Sequence, residues 1–478
     1  MNNKSLKNIA LKGVIWSAID RFASQGISFI VSIVIARLLT PHDYGLVAMV
    51  GIFISIAQAF VDSGLSSAIV RKKDRSAIDL STAFFANIII GFICYIVLFI
   101  VAPYIAEFYK ERELCSIVRA MGIVFFLFSF SNIQQAVLTI HIDFKTKTKI
   151  SLLSVLISGT LGISLAFWGY GVWSLVFQQV VFALSRAIFL WLFVRWRPIT
   201  TFSWQSFSSL FSFGSKMLLT GLINAIFNNL YSIVIGKTFS ATHLGYYSRA
   251  EQFAQFPSSN ISNIIKGVSF PAMAMIQDEE DRFKANYYLI LSLVSFIVFP
   301  LIIGLAAVST PLIILLLSEK WLYTAKLLQI VCLALIWYPV YMQNLNFLEV
   351  KAKGGDILKS EILSKTLGII LLILLLPIGI EAICWGQVAT NVISVLFSSY
   401  YIKRLLKDSY IDIFKPIIIN FLYAITMGLI CYFVQQTLDT PTRQLIIGIV
   451  VGFMSYSLLH ICFNRSFTIS VFKIIFKR

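Results

Sequence analysis

Long apolar segments alternate with short polar loops along the whole chain. A membrane-spanning helix requires about 20 consecutive, mostly apolar residues, and fourteen segments satisfy this requirement. The pattern therefore predicts an all-α polytopic membrane protein with about 14 transmembrane helices. The predicted spans cover residues 13–36, 46–66, 80–103, 116–139, 150–170, 172–194, 209–236, 246–270, 287–308, 322–346, 357–378, 382–402, 416–434 and 444–462.

Two parts of the chain resemble each other at a distance of about 200 residues. SIVIARLLTPHDYG (32–45) matches SIVIGKTFSATHLG (232–245), and a glycine closes each segment. Two further pairs match in the same order, namely SGTLGI (158–163) with SKTLGI (364–369) and GVWSLVFQQV (171–180) with GIEAICWGQV (379–388). The chain therefore contains an internal repeat, although chance similarity between apolar segments is the alternative.

The repeat predicts how the spans are grouped. Each copy contains six spans, an even number, so both copies enter the membrane with the same orientation, as in a parallel repeat. We expect an N-lobe over residues 1–200 with spans 1 to 6 and a C-lobe over 201–408 with spans 7 to 12. Residues 409–478 then form an appendage with spans 13 and 14 and a tail.

Composition and charge support a membrane protein. Only 13% of the residues are charged, which is about half of the ~25% found in soluble domains. The net charge of +17 is dispersed between apolar segments and forms no basic stripe, so nucleic acid is not an expected partner. We assign 24 of the 39 basic residues to loops on one side, six to the other side and nine to spans. This bias predicts that both termini are cytoplasmic.

Metal and cofactor sites are not expected. The six cysteines form no CxxC pair, and the four histidines are far apart in the sequence. Cysteine in an apolar segment behaves as a small hydrophobic residue. We therefore predict no metal and no cofactor.

The first span carries two adjacent charges, Asp20 and Arg21, although a charge at the bilayer centre costs about 2.5–3.5 kcal/mol on insertion scales. Residues four apart share a helix face, and this spacing gives corresponding polar stripes on spans one and seven: Trp16, Asp20, Ser24, Ser28 and Ser32, and Lys216, Thr220, Asn224, Asn228 and Ser232. We expect Asp20, Arg21 and Lys216 to line a central cavity between the lobes. The alternative is that Asp20 pairs with a basic residue on a neighbouring helix and only stabilises the bundle.

Cations outnumber anions among the charged residues deep within the spans, which predicts an anionic substrate. Arginine suits phosphate because its guanidinium can form two parallel hydrogen bonds. For any single residue, packing or snorkelling is an equally good interpretation. The candidate substrate-binding residues are Arg21, Lys216, Arg249, Arg119, Arg186, Lys266, Asn224 and Asn228, and the candidate ion-coupling residues are Asp20, Asp62 and Glu251.

Several motifs resemble those of bacterial polysaccharide flippases of the Wzx type, in the branch that includes colanic-acid exporters: ARLLTPHDYGLVAM (36–49), VDSGLSSAIVRKKD (61–74), LGYYSRAEQFAQFP (244–257) and LSEKW (317–321). The resemblance implies the multidrug/oligosaccharidyl-lipid/polysaccharide exporter fold, with two six-helix lobes and a central cavity. It also implies a lipid-linked substrate, an undecaprenyl-diphosphate-linked oligosaccharide flipped across the bacterial inner membrane. Such transport serves lipopolysaccharide, capsule or exopolysaccharide synthesis, with a polysaccharide polymerase and chain-length proteins as expected partners.

One position departs from that family. Many relatives carry an aspartate four residues before the Ile-Gly of span seven, where this chain has Tyr231. An ion-coupling role at this position is therefore in doubt. Coupling to a proton or sodium gradient through another carboxylate and passive transport are both open alternatives.

Three other functions compete with this interpretation. A lipid II-type flippase and a multidrug antiporter would share the fold, but a cationic drug would favour acidic cavity residues. A polysaccharide polymerase or ligase would be an enzyme and would usually need a sizeable external loop. The longest predicted outside loop has about a dozen residues, and no catalytic constellation is visible. We therefore expect a transporter and not an enzyme.

Overall fold

The computed structural model describes Trp16 and residues 23–62, 64–199 and 201–464. Every regular element in these residues is helical. The chain forms two compact units, the first ending at Gly245 and the second beginning at Tyr246. The all-α prediction is thus confirmed.

The first unit is built from nine helices and the start of a tenth. The helices are α1 (Ala23–Leu38), α2 (Pro41–Asp62), α3 (Leu65–Arg71), α4 (Ala77–Tyr109), α5 (Leu114–Ser129), α6 (Asn132–Ile140), α7 (Phe144–Phe167), α8 (Val172–Phe193), α9 (Trp204–Thr238) and the first residues of α10 (Ala241–Met275). Within this unit α4 packs against α5, α7 against α8, and α9 against α2, α3 and α4.

The second unit contains the rest of α10, a short 3-10 helix and eight further helices. Their bounds are α11 (Glu280–Ala307), α12 (Ser309–Leu317), the 3-10 helix (Glu319–Trp321), α13 (Leu322–Leu335), α14 (Tyr338–Val350), α15 (Gly354–Leu375), α16 (Ile380–Leu406), α17 (Tyr410–Gln436) and α18 (Pro441–Phe463). Here α11 packs against α17, α15 against α16, and α17 against α18.

Each predicted span overlaps a helix of the described residues, but the number fourteen is not confirmed. Eleven helical segments in this part of the chain are long and apolar enough to cross a membrane. The described part of α1 is apolar but shorter than these. Helices α10 and α15 are not among the eleven. Ser, Asn and Gln residues lower the hydropathy of α10, and Lys359, Glu361 and Lys365 interrupt the apolar part of α15.

The division at Gly245 differs from the lobe boundary that the repeat predicts at residue 200. The reason is that α9 packs against α2, α3 and α4 and so belongs to the first unit by its contacts. The repeat-based boundaries at 200 and 408 stay a prediction.

A buried carboxylate joins three helix ends in the first unit. Asp79 and Ser76 form a capping box at the start of α4, with bonds of 3.1 Å from Asp79 N to Ser76 Oγ and 2.8 Å from Ser76 N to Asp79 Oδ2. Such boxes satisfy backbone N–H groups that a helix start leaves without partners. Asp79 also pairs with Lys72 Nζ at 2.7 Å and accepts a hydrogen bond from Ser206 Oγ of α9. This carboxylate therefore connects the segment after α3 to the starts of α4 and α9.

Helices α2 and α10 approach so closely at their first turns that only glycine fits. A Cβ on Gly45 would lie 1.7 Å from the Ala241 carbonyl oxygen, and a Cβ on Gly245 would lie 1.8 Å from the Pro41 carbonyl oxygen. The contacts are reciprocal, because 41 and 45 correspond to 241 and 245 in the repeat. A reciprocal contact of this kind is what two segments related by a two-fold axis would form.

We expect Gly45→Ala and Gly245→Ala to destabilise the protein strongly. The new methyl group would meet backbone atoms, which cannot rotate away, so the loss should reach or exceed the ~1–3 kcal/mol typical of overpacking. Gly51→Ala in α2 and Gly267→Ala in α10 are matched controls, since nothing lies within 4 Å of either position. Thermal unfolding of the purified protein in detergent measures the effect. Equal melting temperatures for Gly45→Ala and Gly51→Ala would contradict the close contact.

Candidate functional site

Two polar cavities lie at the end of the first unit where α3, α6 and α8 finish and α7 begins. The smaller has a volume of about 190 Å³ and is lined by Gln135, Lys147, Ile150, Ser151, Arg186 and Leu190. The larger has a volume of about 440 Å³ and is lined by Ser66, Ser67, Val70, Arg71, Asn132, Gln135, Ala136 and Thr139. Gln135 lines both, so α6 forms the wall that they share.

Arg186 of α8 is the predicted site residue that lines the smaller cavity. It lies about two helical turns before the end of α8 at Phe193. Its Nη2 donates to Gln135 Oε1, and its guanidinium carbon lies 5.5 Å from the centroid of the Phe128 ring. A guanidinium has five N–H donors in a rigid plane, so it can bind several acceptors together.

The first two turns of α7 form another wall of the smaller cavity. Asp143 caps the helix by accepting from Thr146 N at 3.1 Å. Lys147 and Ser151 are four residues apart and share one face. Ser24 Oγ of α1 donates to Ser151 Oγ at 3.1 Å. Ser24, a member of the polar stripe predicted for span one, therefore contacts a neighbouring helix at this cavity.

The larger cavity combines a cation with hydroxyl and amide groups. The guanidinium carbon of Arg71 at the end of α3 lies 4.7 Å from the centroid of the Phe213 ring. Asn132 Nδ2 donates to Val61 O at 3.3 Å. The buried Oγ of Ser66 has no hydrogen-bond partner among the described residues. A buried hydroxyl without a partner costs free energy, so this group favours a water or ligand hydroxyl in the cavity.

The two cavities are cationic. Arg71, Lys147 and Arg186 contribute three positive charges, and no carboxylate is among the residues that line either cavity in the described part of the chain. Arginine and lysine near low-dielectric walls attract anions and can form charge-assisted hydrogen bonds with phosphate oxygens. The arrangement can therefore bind an anionic group with polar substituents.

The other predicted cations lie in different environments. Arg119, near the start of α5, donates from Nε to Phe99 O at 3.4 Å, and its guanidinium lies 4.4 Å from the Phe99 ring centroid. Lys266 of α10 pairs with Glu349 of α14 at 2.8 Å. Arg249 is half-buried on α10. Arg119 and Lys266 thus have protein partners, as the packing interpretation of such residues expects.

The polar stripe of span seven lies on the exposed face of α9. Lys216, Asn224 and Asn228 are all exposed, whereas Gly214 and Ala225 on the same helix are buried. Lys216 forms no ion pair among the residues that the structure describes. The central cavity predicted for Lys216 stays a prediction.

Of the candidate ion-coupling residues, Glu251 alone has a described side chain. Its Oε1 accepts from the hydroxyl of buried Tyr247 at 3.5 Å, and the same hydroxyl lies 3.4 Å from Gln387 Oε1 of α16. Asp20 and Arg21 lie outside the described residues, as does the side chain of Asp62.

Arg71, Lys147 and Gln135 are among the cavity residues that the sequence did not predict as site residues. Arg71 and Lys147 fall just outside the predicted spans 46–66 and 150–170, because α3 and α7 extend beyond the apolar segments. Basic residues within about five residues of a predicted span end were therefore a usable signal. Gln135 lies inside the predicted span 116–139, where an amide side chain has to find a partner.

Comparison with known protein families gives one family match over most of the chain. The model of a family described as "Polysaccharide biosynthesis protein" matches residues 34–326. Among curated proteins, the teichuronic acid biosynthesis protein TuaB of Bacillus subtilis is 27% identical over 95% of this chain and 96% of its own length. The lipopolysaccharide biosynthesis protein WzxC of Escherichia coli is 27% identical over 69% of this chain and 67% of its own.

Solved structures show the same fold. The lipid II flippase MurJ in an inward closed conformation superposes with a TM-score of 0.78 at 16% identity, covering 95% of this chain and 99% of MurJ. An inward-facing multidrug resistance transporter of the MATE family and MOP superfamily gives a TM-score of 0.64 at 16% identity, covering 83% of this chain and 98% of that transporter. The multi-pass membrane fold of this superfamily is therefore established for this chain.

We expect the Lys266–Glu349 pair to be worth about 1 kcal/mol or less, because both side chains are substantially exposed. Lys266→Glu should lower the melting temperature through like-charge repulsion, and Lys266→Glu combined with Glu349→Lys should restore it. Transport by the charge-swapped variant separates pairing from substrate contact. A swapped protein that is stable but inactive would show that Lys266 has a role beyond this pair.

Proposed function

The chain belongs to the polysaccharide biosynthesis protein family, and we propose that it is a flippase for a polyprenyl-diphosphate-linked oligosaccharide. The observation that carries this proposal is the pair of cationic cavities, which combine Arg71, Lys147 and Arg186 with amide and hydroxyl groups and no lining carboxylate. A diphosphate needs cations, and sugar hydroxyls need amide and hydroxyl partners.

The comparisons support the same substrate class. TuaB and WzxC are named for teichuronic acid and lipopolysaccharide biosynthesis, and the similar protein ExoT of Rhizobium meliloti is named a succinoglycan biosynthesis transport protein. MurJ, whose fold this chain shares, is named a lipid II flippase. These proteins handle polysaccharides or their precursors, which matches the polar and cationic character of the cavities.

The chain's own residues suggest how a substrate is loaded. We infer from the Lys and Arg distribution that both termini and the cavity end of the first unit face the cytoplasm across the bacterial inner membrane. Arg186 and Lys147 hold the diphosphate, while Gln135, Ser66 and Asn132 bind sugar hydroxyls. The lipid tail stays in the bilayer. The exposed stripe of Lys216, Asn224 and Asn228 offers further polar contacts along the route, and alternating access completes the transfer.

A multidrug antiporter is the nearest competing function. An organic cation would favour carboxylates, and none is among the described residues that line either cavity. The cavity lining therefore favours the anionic, lipid-linked substrate. A polysaccharide polymerase and chain-length proteins would act on the product outside the cell membrane and are the proposed partners.

Glu251 is the proposed proton-coupling residue. Its carboxylate contacts a tyrosine hydroxyl and forms no ion pair among the described residues. A carboxylate within a membrane span that faces a neutral partner can exchange a proton during the transport cycle. Asp20 and Asp62 are further candidates from the sequence.

We expect Arg186→Gln and Lys147→Gln to lower export at least tenfold, because each removes a cation from the diphosphate site. Arg186→Lys should retain part of the activity, since it keeps the charge but loses the planar donor geometry. Surface polysaccharide in a strain lacking its own flippase, compared at matched membrane abundance, measures export. Arg119→Gln is the matched control, because Arg119 packs on Phe99 away from the cavities. Wild-type export by both cavity variants would refute the site.

We expect Glu251→Gln to abolish acceleration by a proton gradient while leaving the gradient-independent rate intact. The amide keeps the size of the carboxyl group but cannot exchange a proton. Proteoliposomes with a fluorescent lipid-linked oligosaccharide and an imposed pH gradient provide the measurement. Glu349→Gln is the control carboxylate variant. Acceleration of Glu251→Gln equal to that of the wild type would exclude this residue as the coupling site.

A further inference from the structure

A third, chemically different cavity lies on the other side of α8. It is an apolar groove of about 550 Å³ between the end of α5 and the last two turns of α8, and its lining includes Phe126, Phe130, Ile188, Trp191, Leu192 and Arg197. Ile188 and Leu192 are 48% and 71% exposed. Arg197 is the one charged residue among the described residues of its lining, and it lies four residues after the end of α8 at Phe193.

Arg197 is held rigidly at this groove. Its Nη1 donates to Val194 O at 2.6 Å and to Trp196 O at 2.8 Å, and its Nη2 donates to Trp191 O at 2.6 Å. The guanidinium carbon also lies 5.1 Å from the Trp191 ring centroid. Of the five N–H groups of an arginine, these three bonds leave two for a ligand.

Trp191 fixes the groove wall as well. Its indole Nε1–H donates to Phe130 O at 3.0 Å, which ties α8 to the end of α5. Tryptophan at the end of a span is typical of the membrane–water interface. The groove therefore runs from the interface, where Arg197 lies, into the depth of the bilayer along Ile188.

We propose that this groove binds one anionic phospholipid, with an acyl chain along Phe126 and Ile188 and the phosphodiester on Arg197. Charge complementarity supports this occupant, since basic pockets between transmembrane helices on the cytoplasmic side bind anionic head groups. The size agrees, because about 550 Å³ lies within the ~300–1,000 Å³ typical of ligand-binding clefts.

The site is distinct from the cationic cavities but shares helix α8 with the smaller of them. Arg186 and Leu190 line the smaller cavity, whereas the neighbouring residues Ala187, Ile188 and Trp191 line the groove. A lipid in the groove would brace α8 against α5 and thereby fix the wall that carries Arg186.

The experiment uses the purified full-length protein in detergent with phosphatidylglycerol and phosphatidylcholine as probes. Native mass spectrometry counts bound lipid, and thermal unfolding measures stabilisation. We expect phosphatidylglycerol to raise the melting temperature more than phosphatidylcholine, and Arg197→Gln to weaken phosphatidylglycerol binding about tenfold. Arg195→Gln is the matched control, because Arg195 is exposed and does not line the groove. Ile188→Trp fills the groove and should abolish phosphatidylglycerol binding without removing a charge. This variant tests the proposal if Arg197→Gln fails to fold.

Three results would overturn the proposal. One is equal stabilisation by the two lipids, and another is unchanged phosphatidylglycerol binding by both Arg197→Gln and Ile188→Trp. The third is displacement of phosphatidylglycerol from the wild type by polyprenyl phosphate, together with loss of polyprenyl phosphate binding in Ile188→Trp, which would assign the groove to the substrate lipid. These results do not test the proposed transport function, because Arg197 does not line the cationic cavities.

Discussion

The bilayer interior offers no hydrogen bonds, and this constraint governs both the backbone and the polar side chains of the protein. Helices satisfy the backbone within each segment. Polar side chains inside the spans must find protein partners or line a cavity, and the second unit shows the first solution. Tyr287 donates to Asn344 at 2.7 Å, and Asn344 donates to Ser398 at 2.9 Å, so three helices share one buried network. In the first unit, Arg186 shows the second solution, because it lines a cavity.

The same constraint explains why the cations within the predicted spans lie in different environments. Arg119 packs on an aromatic ring of the adjacent helix, and Lys266 forms an ion pair with Glu349. Arg186 instead lines a cavity with Lys147, next to the cavity that contains Arg71. The excess of positive charge therefore indicates the charge of the substrate for the chain as a whole. The role of each single cation depends on the partner residues that the neighbouring helices supply.

Features set by local sequence could be predicted, and features set by distant contacts could not. The spans follow from apolar length, and the repeat follows from matched segments that end in Gly45 and Gly245. The reason for those glycines, a reciprocal backbone contact between α2 and α10, depends on residues 200 positions apart and is visible only in three dimensions. Arg186 was a candidate because it is charged inside an apolar helix. Arg71 and Lys147 were assigned to loops because the helices continue past the apolar segments.

Helix α8 lines a polar cavity on one face and an apolar groove on another. Arg186 lines the polar cavity and adjacent Ile188 the apolar groove, because successive residues of a helix are separated by about 100°. Trp191 and Arg197 anchor the end of the helix through backbone carbonyls at the membrane interface. A displacement of α8 would therefore change the polar cavity and the lipid-facing groove together. If both proposed sites are correct, such a shared wall would couple the membrane lipid in the groove to the position of Arg186 without any contact between the two ligands.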